Sequence, residues 1–123
     1  MANILLIDDD PVFRDLVRGI LTHIGYTCRA VPSIAKGKEL AFRKTYDIIL
    51  LDIFLPDGNG LKEIKQFKNT PPYPQVIIIT AHGDPDEAAA AIEHGAWDYL
   101  EKPITLQTIK LILKRALRYR EHE

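Results

Sequence analysis

Four short segments of the sequence end in side chains that could do chemistry together. If these segments are neighbouring strands of one parallel sheet, their carboxyl ends meet at one edge, which is where ligands bind in such sheets. In chain order the set consists of Asp8, Asp9 and Asp10, then Asp52, then Thr80, and finally Glu101 and Lys102. Several carboxylates, a hydroxyl and an ammonium at one edge form a set that can bind a cation and an anion side by side.

The clustered carboxylates predict a magnesium site. Three or more carboxylates repel one another and are costly to hold together without a cation. An all-oxygen cluster suits Mg²⁺, which takes few protein carboxylates and keeps several waters. The hydroxyl and the ammonium then indicate an anion that also contacts the metal, and phosphate is the candidate. A carboxylate can attack phosphorus to give an aspartyl-phosphate, while Mg²⁺ and lysine neutralise the developing charge.

Simpler interpretations exist for the single residues. Asp10 precedes Pro11 and suits the N-cap position of a helix, so it is the weakest candidate ligand. Asp8 and Asp9 also suit an ordinary loop at the end of a strand. The joint interpretation rests on Asp8-Asp9, Asp52, Thr80 and Lys102 each ending a different predicted strand.

The elements that must position these residues alternate between strand and helix patterns. Short runs rich in β-branched residues predict buried strands, and apolar residues at helical spacing predict helices. Such alternation predicts an α/β fold with a parallel sheet covered by helices on both faces. The predicted strands are Ile4–Ile7, Tyr26–Val31, Ile48–Leu51, Val76–Ile79 and Asp98–Glu101, and the predicted helices are Pro11 to Gly25, Ser33–Lys44, Leu61–Lys68, Pro85–His94 and Leu106 to Arg120.

Length and composition exclude several classes of protein. A chain of 123 residues predicts one domain over 1–123, and a formal net charge of −1 disfavours a strongly basic nucleic-acid binder. The single Cys28 allows no intrachain disulfide, and no cysteine–histidine spacing suggests a zinc site. The N-terminus does not resemble a signal peptide, and no apolar run reaches the roughly 18 residues of a membrane span. We therefore expect a cytoplasmic protein.

Four stretches of the sequence resemble a response-regulator receiver domain of two-component signalling. They are ILLIDDDP at 4–11, IILLDIFLPDGNG at 48–60, VIIITAHG at 76–83 and GAWDYLEKPI at 95–104, and they span the chain in the order of the family. The resemblance implies a flavodoxin-like (CheY-like) fold, in which a doubly wound, five-stranded parallel sheet has the strand order 2-1-3-4-5 and carries five helices.

The resemblance also implies roles for the residues that react with phosphate. Asp52 resembles the phosphoacceptor, Lys102 the phosphate-binding lysine, and Thr80 the switch hydroxyl. Tyr99 resembles the aromatic residue whose ring position follows that hydroxyl. Lys102-Pro103 resembles the cis peptide of the family, an isomer tolerated chiefly before proline.

The implied cofactor is Mg²⁺, and the resemblance assigns four ligands to it. Asp9 resembles the direct ligand among the paired acids, whereas Asp8 acts mostly through metal-bound water. Asp52 and the backbone carbonyl of Phe54 complete the implied set.

The implied activity is that of a signalling switch, which catalyses only its own phosphorylation and dephosphorylation. A sensor histidine kinase, a phosphotransfer protein or a small phosphodonor supplies the phosphoryl group to Asp52, and the acyl phosphate later hydrolyses in the same site. Phosphorylation shifts an equilibrium on the face made by the fourth helix, the fifth strand and the fifth helix. A homodimer through the fourth and fifth helices fits this interpretation but is not decided by the sequence.

The details resemble receivers of the nitrogen-regulation class, which precede an ATPase domain and a DNA-binding domain in σ54-dependent activators. The resemblance lies in TAHG at 80–83, the alanine-rich helix after it, and ALRYR at 116–120. The chain has no phosphate-loop motif and no room for a helix-turn-helix reader, so we expect neither direct nucleic-acid binding nor membrane contact. The basic, apolar fifth helix favours a receiver excised from a longer transcriptional regulator over a free-standing one.

Two other interpretations remain open at this point. The segment Asp8-Asp9-Asp10-Pro11-Val12 fits the D-x-D-x-[TV] signature of haloacid-dehalogenase-type phosphatases, with Asp8 as nucleophile and Asp10 as acid/base. That interpretation gives Asp52 no role and lacks the later acidic pair. The second alternative is a degenerate receiver that acts as a constitutive binding module, which the intact set of site residues disfavours.

Overall fold

The computed structural model describes residues 2–121 and contains a five-stranded parallel sheet. Its strands lie side by side in the order β2-β1-β3-β4-β5, and each neighbouring pair is parallel. Both the α/β class and the strand order 2-1-3-4-5 are therefore confirmed. The strands are β1 Asn3–Ile7, β2 Thr27–Val31, β3 Ile48–Asp52, β4 Gln75–Thr80 and β5 Asp98–Glu101.

The helices lie close to their predicted positions because the chain carries clear start and stop signals. Asp10 caps the first helix by accepting a hydrogen bond from the Val12 amide at 2.9 Å, and Gly25 ends that helix at a φ of 112°. Asp84 caps the fourth helix in the same way, through the Asp86 amide at 2.9 Å. The helices are α1 Pro11–Ile24, α2 Ile34–Arg43, α3 Ile64–Lys68, α4 Pro85–Glu93 and α5 Leu106–Glu121.

Two hydrophobic layers cover the sheet, one on each face. Successive side chains of a strand point to opposite faces, so strands such as β3 must be apolar throughout to be buried on both sides. On one face α1 and α5 pack against residues such as Leu6 and Leu50. On the other face α2, α3 and α4 pack against residues such as Leu5 and Leu51. This double cover leaves the ends of the strands as the places where polar groups can gather.

The segment after β3 differs from its prediction. We predicted one helix over Leu61–Lys68, but the chain first forms a 3₁₀ turn over Gly60–Glu63 and becomes α-helical only at Ile64. A short antiparallel ladder precedes the turn and pairs Phe54–Leu55 with Gly58–Asn59. A Cβ at Gly60 would lie 2.0 Å from the backbone oxygen of Asp52, so only glycine allows this close approach behind the end of β3.

Two further observations bear on the expectations above. The peptide bond between Lys102 and Pro103 is cis, as is the one between Pro71 and Pro72. Within residues 2–121, no helix combines the length and the hydropathy that a membrane crossing requires.

Candidate functional site

The carboxyl ends of four adjacent strands bring the predicted site residues to one edge of the sheet. Asp8 and Asp9 directly follow β1, Asp52 ends β3, and Thr80 ends β4. Lys102 follows β5, and its backbone amide donates to the Thr80 carbonyl at 2.8 Å. Parallel pairing in register therefore brings together residues that are up to 94 positions apart in the sequence (102 − 8).

Asp8, Asp9 and Asp52 form the acidic centre of the site. Each offers one carboxylate oxygen, and these three oxygens all lie within 4.8 Å of one another. Asp8 and Asp52 are buried, whereas Asp9 is exposed. Asp8 Oδ1 accepts the amide of Asp10 at 2.9 Å, and Asp52 Oδ1 accepts the amide of Ile53 at 2.8 Å. The local backbone therefore holds one oxygen of each buried carboxylate and leaves the other to face the cluster.

Burial and the neighbouring Asp8 carboxylate raise the pKa of Asp52 from 3.8 to about 6. The Lys102 ammonium and the amides of Ile53 and Phe54 act in the opposite direction but do not compensate. Asp52 is therefore mostly ionised at neutral pH, but ionisation costs free energy in these surroundings, and a bound cation can reduce that cost.

Lys102 is the cation that the chain itself supplies to this cluster. Its Nζ lies 2.6 Å from Asp8 Oδ2 and 3.6 Å from Asp52 Oδ2. The same ammonium lies 4.1 Å from the centroid of the Phe13 ring, within the range of a cation–π contact. The aromatic ring on α1 and the two carboxylates thus fix the position of the lysine head group over the site.

The charge balance and the donor set fit a divalent cation. Three carboxylates against one ammonium leave a formal charge of −2 (3 − 1 = 2 negative charges in excess). Asp8 Oδ2 is buried and, despite its ion pair with Lys102, has no hydrogen-bond partner of acceptable geometry among the described residues. An oxygen-only set with a net negative charge matches the ligand preference of Mg²⁺.

A chain of hydrogen bonds leads from Thr80 to Tyr99 through the peptide groups of the loop after β4. Thr80 Oγ1 is fully buried and accepts the amide of His82 at 3.2 Å. The hydroxyl of Tyr99 donates to the His82 carbonyl at 3.3 Å and accepts the Asp84 amide at 3.4 Å. The two predicted switch residues therefore contact the same loop.

Two aromatic side chains stand at the rim of the site. The rings of Phe54 and His82 meet edge to face, with their centroids 5.7 Å apart. Phe54 is two residues past Asp52, His82 is two residues past Thr80, and the Phe54 side chain is 51% exposed. The two rings therefore contact each other next to the strand ends that carry Asp52 and Thr80.

Three residues that contact the site or hold a segment next to it were not singled out from the sequence. The helical spacing of Phe13 predicts a core residue of α1, yet its ring also contacts the Lys102 ammonium. Arg14 donates from Nη1 to the Asp8 carbonyl at 2.8 Å. Asp57 accepts the first amides of α2, those of Ile34 and Ala35, at 3.0 and 2.9 Å. Of these three residues, only Asp57 could have been found from the sequence, because it lies in a Pro-Asp-Gly segment that predicts a turn.

Comparison with known proteins agrees with this geometry. A model of the family described as "Response regulator receiver domain" matches residues 4–114. This chain belongs to the response-regulator receiver domain family. Receiver domains of response regulators are the signalling switches of two-component systems, and the flavodoxin-like fold with its acidic edge is the one that the receiver resemblance implied.

The matched relatives are longer proteins of the class that the sequence resembled. The chain is 34% identical over 119 residues to the response regulator PilR of Pseudomonas aeruginosa, and 36% identical over 118 residues to the DNA-binding transcriptional regulator NtrC of Escherichia coli K12. These alignments cover 97% and 96% of the chain but only 27% and 25% of the relatives. The chain therefore spans about a quarter of the length of the curated relatives that it matches.

A solved receiver has nearly the same structure. The beryllofluoride-activated NtrC4 receiver domain dimer superposes with a TM-score of 0.90 at 31% identity, and the match covers 98% of this chain and 99% of the NtrC4 chain. None of these comparisons supports the haloacid-dehalogenase-type interpretation. The structure also removes its acid/base, because the Asp10 carboxylate is exposed and caps α1.

Proposed function

We propose that the chain is a phospho-accepting switch in which Asp52 receives the phosphoryl group. The observation that carries this proposal is the meeting of Asp8, Asp9 and Asp52 within 4.8 Å, with the Lys102 ammonium 3.6 Å from Asp52 Oδ2. Asp52 is the central acid of this group, since it ends the middle strand of the sheet and is flanked by Asp8 on one side and Thr80 on the other.

The residues that would hold Mg²⁺ are Asp9, Asp8, Asp52 and the backbone carbonyl of Phe54. Asp9 is exposed and free of the Lys102 ion pair, which suits direct coordination, whereas Asp8 is shared with Lys102 and suits a ligand acting through water. When bound, Mg²⁺ neutralises negative charge on the carboxylates and on the phosphoryl oxygens. The formal charge of −2 at the site is the reason that a divalent ion fits it.

The side chains at the strand ends supply the nucleophile and a cation for the transfer step. One carboxylate oxygen of Asp52 attacks phosphorus, an O–P bond forms, and the bond from phosphorus to the donor nitrogen or oxygen breaks with its electron pair leaving on the donor. Lys102 is placed to receive a phosphoryl oxygen, because its ammonium already lies between the two buried carboxylates. Transfer moves it from Asp8 toward the new anion.

The reverse step is hydrolysis of the acyl phosphate by water that enters at the rim. Phe54 and His82 stand there edge to face and restrict the approach. Replacing Phe54 with alanine therefore changes the lifetime of the phosphorylated form, and an unaltered half-life in a phosphate-release assay removes this role.

The readout starts at Thr80. In the unphosphorylated structure its hydroxyl accepts the His82 amide. A phosphoryl oxygen on Asp52 offers the same hydroxyl an acceptor, so Thr80 turns inward as a donor and releases the loop that Tyr99 holds through the His82 carbonyl and the Asp84 amide. Tyr99 then repacks and changes the face formed by α4, β5 and α5.

The partners follow from the family and remain part of this proposal. A sensor histidine kinase or phosphotransfer protein supplies the phosphoryl group in the cytoplasm, and residues 1–123 form a single receiver domain. The output is transcriptional, since the relative NtrC is a DNA-binding transcriptional regulator. The chain forms a homodimer, for which α4 and α5 are the proposed surface; the dimeric state of the NtrC4 receiver supports dimerisation itself.

Intact-mass spectrometry after incubation with acetyl phosphate and Mg²⁺ tests the proposal. We expect the wild-type chain to gain one phosphoryl group and the variant Asp52→Asn to gain none. Asp15→Asn is the matched control, because Asp15 is an exposed aspartate on α1 outside the site. Undiminished phosphorylation of the Asp52→Asn chain would falsify the assignment, and a phosphoryl group mapped to Asp8 would revive the phosphatase interpretation.

A further inference from the structure

A second pocket lies at the amino end of the sheet, at the opposite end from the acidic site. It has a volume of about 570 Å³ and is walled by the starts of β1 and β2 and by the segment that joins α2 to β3. Asn3 and Thr27 pair in register at this end, whereas Asp8 follows the other end of β1. Five residues of extended chain separate the two sites by roughly 16 Å.

The pocket is strongly basic although the whole chain is nearly neutral. Arg29, Arg43 and Lys44 all line it, and none of its eight lining residues is acidic. Arg43 makes an exposed ion pair with Glu39 at 3.4 Å, which screens its charge only weakly. The side chains of all three bases reach solvent, so they can bind an anion without first leaving a buried partner.

A buried polar group without a partner lies beside the pocket. Tyr46 lines the pocket, is only 4% exposed, and its hydroxyl has no hydrogen-bond partner among the described residues. A buried phenol is normally hydrogen-bonded, so an orphan hydroxyl beside a cavity indicates a group that the cavity receives. Thr45 adds an exposed hydroxyl to the same wall.

We propose that this pocket binds a small organic phosphate. Three cations match the charge of a mono- or diphosphate, and the arginine fork favours bidentate contact with phosphate oxygens. The volume of about 570 Å³ lies within the range of small-molecule sites and exceeds the needs of a single phosphate ion, which leaves room for an organic group beside Ile4. Tyr46 donates its hydroxyl to the ligand. This site does not depend on phosphorylation of Asp52.

A titration followed by nuclear magnetic resonance tests the proposal, with ADP as the probe and adenosine as its uncharged counterpart. EDTA and the Asp52→Asn background keep phosphate chemistry at the acidic site out of the measurement. We expect ADP to produce saturable shifts at the amides of residues 27–29 and 43–46, with a dissociation constant below about 1 mM. Shifts that do not saturate, that appear equally with adenosine, or that centre on residue 52 overturn the proposal.

Variants of the pocket distinguish a built site from a general attraction to positive charge. The double variant Arg29→Gln, Lys44→Gln should weaken ADP binding by at least about tenfold, because it removes two charge-assisted contacts. Lys110→Gln is the matched control, since Lys110 is an exposed base on α5 outside the pocket, and should leave binding unchanged. Equal weakening by both changes contradicts the proposal.

Tyr46→Phe tests the buried hydroxyl separately. The ring stays in the core, and the hydroxyl that is removed has no partner in the free protein, so thermal unfolding should be unchanged or slightly higher. Affinity for ADP should fall by about threefold or more, the cost of one hydrogen bond to the ligand. Unaltered affinity in a folded variant contradicts the placement of the ligand against Tyr46.

Discussion

Asp52 lies between a carboxylate that repels it and an ammonium that attracts it. Its pKa of about 6 shows that burial and Asp8 outweigh Lys102 in the metal-free protein. The ionised form is therefore less stable inside the fold than in water. In the metal-free protein the ionised Asp52 carboxylate therefore destabilises the fold, and metal binding removes this electrostatic cost. Stability and function thus oppose each other at this position.

Removing this charge should stabilise the metal-free fold. The pKa of Asp52 is 3.8 in the unfolded chain and about 6 in the folded protein. The folded protein therefore binds more protons than the unfolded chain between pH 3.8 and about 6, and its stability falls as the pH rises through this range. In EDTA at pH 7, Asp52→Asn should raise the free energy of unfolding by about 2–3 kcal/mol. Chemical denaturation at pH 7 and pH 4 measures this, and a gain that does not shrink at pH 4 contradicts it.

The loop after β4 couples two secondary-structure elements through a few weak bonds. Thr80 at the end of β4 and Tyr99 in β5 both bind the peptide groups of residues 82–84, and the Tyr99 bonds are long, at 3.3 and 3.4 Å. Gly83 lies against Glu101, where a Cβ would meet the carboxylate at 1.4 Å. Weak bonds and a close approach give a loop that can exchange partners at small free-energy cost.

Loss of the Tyr99 hydroxyl should loosen this loop without affecting the acidic cluster. In Tyr99→Phe the Asp84 amide loses its acceptor, so its hydrogen exchange should accelerate by about threefold. The Asp86 amide is the internal control, because it donates to Asp84 Oδ1 at 2.9 Å and keeps that bond. Equal exchange of the Asp84 amide in both proteins would show that the Tyr99 hydroxyl does not hold the loop.

Variants of Asp10, at the start of α1, distinguish a capping role of this residue from a catalytic one. Asp10→Ala removes the acceptor for the Val12 amide and should lower the free energy of unfolding by about 1 kcal/mol. Asp10→Asn keeps a good cap and should be nearly neutral. Both variants should still be phosphorylated, as measured by intact mass. Complete loss of phosphorylation in Asp10→Asn alone points to an acid/base role and contradicts the capping interpretation.

Across the whole molecule, Arg120 ties the end of α5 to the amino end of the sheet. Its guanidinium donates to the Asp47 carboxylate and to the Pro72 carbonyl, the latter at 2.8 Å. Asp47 in turn accepts the Asn3 amide at 2.8 Å, so one carboxylate joins α5 to the start of β1. The last turn of α5 is thus fixed to the sheet, far from the acidic site.

Breaking this tie should destabilise the domain. Arg120→Gln should lower the free energy of unfolding by about 1–2 kcal/mol, since it removes charge-assisted hydrogen bonds, of which the one to Asp47 is partly buried. Arg118→Gln is the matched control because Arg118 is exposed on the same helix, and it should change the value by less than about 0.5 kcal/mol. Equal effects of the two changes in denaturant titrations argue against a specific role for Arg120.

The sequence by itself determined the fold class, the positions of the five strands and of most helices, and the members of the acidic cluster. Apolar runs such as Ile48–Leu51 are too short for helices and rich in β-branched residues, so they predict strands buried on both faces, and Asp10-Pro11 and Gly25 delimit a helix by local backbone chemistry. Because the carboxyl ends of parallel strands share an edge, Asp8, Asp9, Asp52, Thr80 and Lys102 could be placed together without coordinates. Local preferences and the rules for parallel sheets were sufficient for these points.

Tertiary structure alone decided how the residues divide their contacts. No pattern in the sequence shows that Lys102 pairs more closely with Asp8 than with Asp52, or that Phe13 supports it, because these contacts depend on how far α1 and β5 approach one another. The orphan hydroxyl of Tyr46 and the basic pocket beside it join residues from β2, from the end of α2 and from the segment before β3. Side-chain distances of this kind arise from packing between elements, and the periodicity of each element contains no information about them.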